Sequence, residues 1–111
     1  MPNARLASLV DILGESETRE LVRLYLGSVP KLFHEIMGLD RESARRAAHS
    51  LKSSSQQMGA ADIAAQAFEI EKRLDADGPS LTPLELSLFQ ARFKKTEAQL
   101  RPFAGTDDSG P

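Results

Sequence analysis

The sequence predicts an all-α fold, an antiparallel four-helix bundle with a short additional N-terminal helix. Three observations carry that expectation. Alanine, leucine, glutamate, glutamine, lysine and arginine fill nearly every segment, and these residues lose little side-chain freedom on entering a helix. Apolar residues recur at steps of three and four, and no stretch sustains the alternation of a strand. Glycine, proline and capping residues punctuate these stripes at short intervals, so the linkers are brief and successive helices pack antiparallel. The 111 residues amount to one domain, and an apolar fraction of 41% is enough for a single core. The bundle is assigned to residues 1–103. Residues 104–111, rich in glycine, aspartate and serine, have nothing to bury and are expected to be a disordered tail.

Taken in order, the first helix runs from about Ala4 to Leu13 on the stripe Leu6, Leu9, Val10 and Leu13. Gly14 interrupts it, and Ser16 is placed to cap the second helix. That helix runs from Glu17 to about Met37, with Leu21, Leu24, Tyr25, Leu32, Phe33 and Ile36 inward and Val22 and Val29 widening the stripe. Pro30 lies inside that span; it has no amide hydrogen and crowds the preceding turn, so a kink or short break is expected there. Gly38 ends the helix and Asp40 is a candidate cap for the third, Arg41 to Met58. Gly59 separates it from a fourth helix, about Ala61 to Ala76, with Ile63, Ala64, Ala67, Phe68, Ile70 and Leu74 inward. Residues Asp75 to Ser80 read as a turn. The last helix has the clearest start: Thr82 as cap, Pro83 at the first helical position, and Glu85 completing a capping box. Leu84, Leu88, Phe89, Phe93, Thr96 and Leu100 make its inner face, and Pro102 is expected to stop it.

Composition removes several classes of function. With 14 basic against 16 acidic side chains, the net charge of -2 offers no field for a polyanion, so nucleic acid is not an expected partner. The absence of cysteine excludes disulfides, thiolate catalysis and cysteine-based metal sites, and two histidines cannot build a histidine cluster. No apolar run is long enough to span a membrane, and the N-terminus lacks a basic stretch followed by an apolar one. A cytoplasmic, monomeric protein with no membrane partner is the expectation. The tail aspartates Asp107 and Asp108 offer no preformed metal site, and none is assigned. No glycine-rich phosphate loop precedes a lysine, and no paired acids are placed to hold magnesium beside a nucleotide, so no autonomous kinase is expected.

The third helix, read as a wheel at about 100° per residue, separates a core side from a polar one. Ala44, Ala47, Leu51 and Met58 fall together on the core side. His49 falls opposite, with Gln56 and Arg45 within about 40° of it, Ser53 about 40° to the other side and Lys52 about 60° away. An exposed imidazole is nucleophilic near neutral pH because a useful fraction of it carries no charge. Phosphorylation would place close to two negative charges on the ring, which a lysine one turn away can offset and a glutamine or serine can hydrogen-bond. A surface histidine beside a lysine is nevertheless a common and functionless arrangement, so the wheel permits phosphoryl acceptance without selecting it. His34, between Phe33 and Glu35, reads as a surface or boundary residue. Arg41, Arg45 and Arg46 either steer an acidic partner or complement Glu42.

The thirteen-residue run from Ala48 to Ala60, AHSLKSSSQQMGA, resembles the signature of histidine-containing phosphotransfer (HPt) domains. That family's pattern joins an alanine-histidine pair, a leucine and lysine, a glycine, small polar residues and a glycine-alanine pair. The resemblance implies that His49 is the phosphorylated residue, that Lys52 supports the phosphoryl group, and that Gln56 matches a polar position often seen beside the histidine. Gly59 matches the glycine that closes the helix or allows a close turn, and with Arg45, Arg46 and Ser53 it is carried as a candidate partner-binding residue. The family commonly has glycine directly after the lysine, which leaves room for an approaching response regulator; this chain has Ser53 there.

The implied function is that of a phosphorelay intermediate. His49, through its outward Nε2, takes a phosphoryl group from a receiver-domain phosphoaspartate and passes it to another response regulator. The chain itself binds no cofactor; magnesium is expected on the receiver, and a hybrid sensor kinase is a further candidate partner. The rival readings are a helical adaptor that binds a receiver without carrying phosphate, a structural domain unrelated to signalling, and the dimerisation fragment of a sensor kinase.

Overall fold

A computed structural model describes residues 3–78 and 81–105. Five helices account for almost all of them: α1 (Ala4–Leu13), α2 (Glu15–Ile36), α3 (Arg41–Gln57), α4 (Ala61–Asp75) and α5 (Pro83–Ala104). No strand occurs among the described residues. Side-chain contacts give the register. Arg41 and His49 of α3 meet Leu74 and Glu71 of α4, Arg73 and Gln66 of α4 both meet Glu85 of α5, and Phe33 and Arg19 of α2 meet Phe89 and Phe103 of α5. In the α3–α4 and α2–α5 pairs the numbering runs in opposite directions, as antiparallel neighbours require. The return of α5 to α2 closes the four long helices into a bundle, and α1 packs on α2.

The core is a single cluster that draws on all five helices, from Leu6 through Val22, Val29, Ile36, Leu51, Ile63 and Ile70 to Phe89 and Leu100. Its largest aromatic contact is the stacked pair Phe33–Phe89, with ring centroids 4.1 Å apart. Between α2 and α3 the core also holds one polar pair. The buried Tyr25 hydroxyl and the buried Ser55 hydroxyl share a hydrogen bond of 2.7 Å. Burial pushes the Tyr25 phenol above its ordinary value, and the bond to Ser55 offsets part of that.

Several local expectations need correction. Ser16 is not a cap. Only Gly14, at φ +93°, separates α1 from α2, and the Thr18 hydroxyl donates to its carbonyl at 2.8 Å. Pro30 does not break α2, which runs through it; the buried residues Val22, Tyr25, Leu26, Val29, Phe33 and Ile36 span the site, and their packing outweighs one lost backbone bond. Pro102 does not stop α5, which reaches Ala104. There the Arg23 guanidinium donates to the terminal Ala104 carbonyl at 2.6 Å, supplying a partner that the helix end itself lacks. Asp40 does occupy the N-cap position of α3, and its carboxylate accepts from the Ser43 hydroxyl at 2.6 Å.

Five stripe residues expected inside, Leu13, Leu24, Phe68, Leu84 and Leu88, are exposed. Each helix has neighbours on only part of its circumference, so the apolar arc is wider than the buried one. The capping box of α5 is fully formed: Glu85 N–H donates to the Thr82 hydroxyl and Thr82 N–H donates to the Glu85 carboxylate. Pro79 and Ser80 of the α4–α5 turn, and the tail beyond Gly105 with Asp107 and Asp108, lie outside the described residues.

Candidate phosphoacceptor site

The middle of α3 exposes His49 because the residues that flank it by one turn on the other side are small or apolar and go inward. Ala44, Ala47, Ala48, Leu51 and Ser55 are all buried. The three alanines let α4 lie close, and α4 delivers the groups that complete the site. The His49 side chain is 57% exposed. Its Nδ1 lies 2.9 Å from Oε2 of Glu71, which is only 12% exposed. Oε1 of the same carboxylate lies 3.3 Å from the Lys52 ammonium, whose side chain is 20% exposed. One α4 carboxylate therefore ties together both α3 residues singled out by the wheel.

The electrostatics of this trio favour an ionised Glu71. Burial pushes its carboxyl up, but the hydrogen bonds and charges of His49 and Lys52 outweigh that and hold it below the ordinary carboxylate range. An ionised carboxylate can only accept, so the hydrogen on the shared bond belongs to Nδ1. That fixes the tautomer of a neutral ring: Nδ1 carries the proton and Nε2 presents its lone pair.

The remaining motif residues and arginines stand around this trio. Gln56 is exposed and lines a groove with Lys52, Ala61, Ala64, Ala65 and Phe68; the imidazole Nδ1–H donates to Glu71, not to Gln56. Ser53 is exposed on the His49 face. Arg45 pairs with Asp75 at 3.5 Å and Arg46 with Glu42 at 3.5 Å, both on the surface. Arg41 donates to the carbonyls of Leu74 and Gly78, at 3.2 and 2.6 Å, and so serves the end of α4.

Gly59 turns the chain between α3 and α4 at φ +77°. A β-carbon there would sit 2.5 Å from the Asn3 side chain, which accepts from Leu6 N–H at 2.9 Å and donates to the Met58 carbonyl at 3.0 Å. His34 is exposed, as read from the sequence.

Glu71 is the residue that sequence reasoning missed. The signal that could have found it is a count across the turn: His49 lies ten residues before Gly59 and Glu71 twelve after it. At 1.5 Å per residue in antiparallel helices, the two stand at nearly the same height. Among the described residues no group of three or more histidines, aspartates and glutamates is placed to hold a metal ion, and no helix is long and apolar enough to cross a membrane.

No curated protein and no solved structure matches the chain. A family model described as Hpt domain matches residues 20–100, from early α2 to the last turns of α5, and the match takes in His49, Lys52 and Glu71. By that match the chain belongs to the Hpt domain family.

Proposed function

We propose that the chain is a phosphorelay intermediate in which His49 accepts a phosphoryl group from the phosphoaspartate of a receiver domain and passes it to another response regulator. The observation that carries this reading is the Glu71 carboxylate on Nδ1 of a half-exposed imidazole, which leaves the Nε2 lone pair unengaged by that bond.

The transfer balances with the groups present. The Nε2 lone pair attacks phosphorus, the bond from phosphorus to the aspartate oxygen breaks, and aspartate departs as a carboxylate. The Nδ1 proton stays on the ring, so the ring gains positive charge as the Nε2–P bond forms. Glu71 stabilises that charge in the way a buried carboxylate supports a catalytic imidazolium. Lys52 faces the negative charge on the phosphoryl oxygens. In the onward transfer the same protonated ring is the leaving group. The receiver supplies the acidic residues and the magnesium ion; this chain supplies a positioned nucleophile and no kinase activity of its own. Arg45, Arg46 and Ser53 form the docking rim, where charge acts on encounter more than on affinity. The protein works as a cytoplasmic monomer.

The test is mass-spectrometric mapping of acid-labile, base-stable phosphate after incubation with a phosphorylated receiver. Phosphate on His49, lost in a folded His49→Gln variant, is the expected result. Binding without any label would leave an adaptor, and phosphate retained by the variant would move the site to His34.

A further inference from the structure

The stripe of α4 predicts Phe68 in the core, yet the residue is 44% exposed. What its ring does instead is hold cations. The Lys52 ammonium lies over it at 5.2 Å from the centroid, and the Lys72 ammonium lies over it at 5.1 Å. Lys72 has its own counter-ion in Glu69 at 3.6 Å. Lys52 is different, because it reaches α4 from α3 and is shared between two α4 residues one turn apart, the Phe68 ring and the Glu71 carboxylate.

We propose that Phe68 is a positioning residue for phosphotransfer, holding the Lys52 ammonium beside His49 through the face of its ring. The inference rests on the phosphoacceptor reading of His49 and adds to it a residue outside the motif.

A lysine carries four rotatable bonds and loses much freedom when it is fixed. Glu71 alone is a poor anchor for the purpose. Its Oε2 is engaged by His49, so only Oε1, 3.3 Å from the ammonium, is left for Lys52, and a single oxygen does not fix the direction of a flexible side chain. A ring attracts a cation through its quadrupole without demanding one hydrogen-bond direction. The ammonium held this way keeps its N–H groups available to phosphoryl oxygens, which a second carboxylate would have occupied. The Lys52 side chain is only 20% exposed, so its stem is largely covered while its head lies over the ring.

The test is a double-mutant cycle on single-turnover transfer from a phosphorylated receiver. Phe68→Leu keeps an apolar side chain but removes the quadrupole and should slow transfer by about two- to five-fold, the range expected for an exposed cation–π contact. In a Lys52→Ala background the same substitution should change nothing, and Phe68→Tyr should restore the wild-type rate. An equal slowing with and without Lys52 would make Phe68 a packing residue only, and a wild-type rate in Phe68→Leu would remove it altogether. A second measurement is independent of phosphate: the Lys52 ε-methylene protons of the unphosphorylated chain should show an upfield ring-current shift in NMR spectra that disappears in Phe68→Leu. Absence of that shift overturns the placement whether or not His49 is phosphorylated, whereas a shift in a chain that never takes phosphate would overturn only the reading of His49.

Discussion

Replacing Glu71 by alanine removes the hydrogen bond that, in the proposed phosphotransfer, selects Nε2 as the nucleophile. The bond is charge-assisted, at 2.9 Å, and joins a nearly buried carboxylate to a half-exposed ring. Hydrogen bonds to charged groups contribute about 1.5–3 kcal/mol, and the exposure of His49 puts this one at the low end. About 1.4 kcal/mol is a factor of ten in rate. An opposing effect exists, because the loss of Glu71 frees Lys52 from an ion pair whose gross Coulomb energy at 3.3 Å is about 5 kcal/mol at an effective dielectric of about 20. Most of that gross term is returned as solvation of the released ammonium. The loss of ring stabilisation therefore wins. Glu71→Ala should slow single-turnover transfer to His49 by about ten-fold, with Glu71→Gln in between because its carbonyl still accepts from Nδ1. The assay is rapid-quench transfer from a phosphorylated receiver at saturating partner, with circular dichroism to confirm the fold. A wild-type or faster rate in folded Glu71→Ala would refute the tautomer argument and leave Glu71 as nothing more than a counter-ion for Lys52.

Gly59→Ala should lower the unfolding free energy by about 1–3 kcal/mol, since it strains a positive φ and displaces the Asn3 cap of α1; a chemical denaturation midpoint equal to wild type would contradict the contact. Ser53→Gly should cost roughly 1 kcal/mol of helix stability and speed transfer from a receiver that is not the natural partner by opening room beside His49; a large rate loss with native and foreign receivers alike would instead make the Ser53 hydroxyl part of the chemistry. Stability should also depend on pH at both ends. The Glu85 carboxyl is held below the ordinary range by its bidentate bond to Arg73, and Glu71 by His49 and Lys52, so both contribute stability that is present above the ordinary carboxylate pKa and is lost as pH falls through their depressed folded values. Tyr25, raised by burial, favours the fold only while protonated and withdraws that contribution as pH rises past its ordinary value. A melting temperature that stays flat from neutral pH down through the carboxylate range would contradict the first of these.

The sequence by itself determined the five helices, because helix formation here depends on local signals that a linear reading contains: stripe period, caps and glycine breaks. The Thr82, Pro83 and Glu85 start of α5 is the clearest case. It also determined which side of α3 carries His49, since one turn of about 100° per residue orders a helix face without knowledge of its neighbours. The motif from Ala48 to Ala60 named His49 and Lys52 for the same reason: they share one helix.

What the linear reading could not decide was everything supplied by a second helix. Ser53, Ser54 and Ser55 are identical in the sequence, yet Ser53 is exposed and Ser55 is fully buried against Tyr25 of α2. Glu69 and Glu71 are both acidic and two residues apart, but only Glu71 turns toward α3 to hold Nδ1, while Glu69 pairs with Lys72. Phe68 reads as core and becomes a platform for two lysines. Each of these depends on the height and rotation at which α3 meets its neighbours, and that is set by packing summed over the whole bundle, with Ala44, Ala47 and Ala48 allowing the approach.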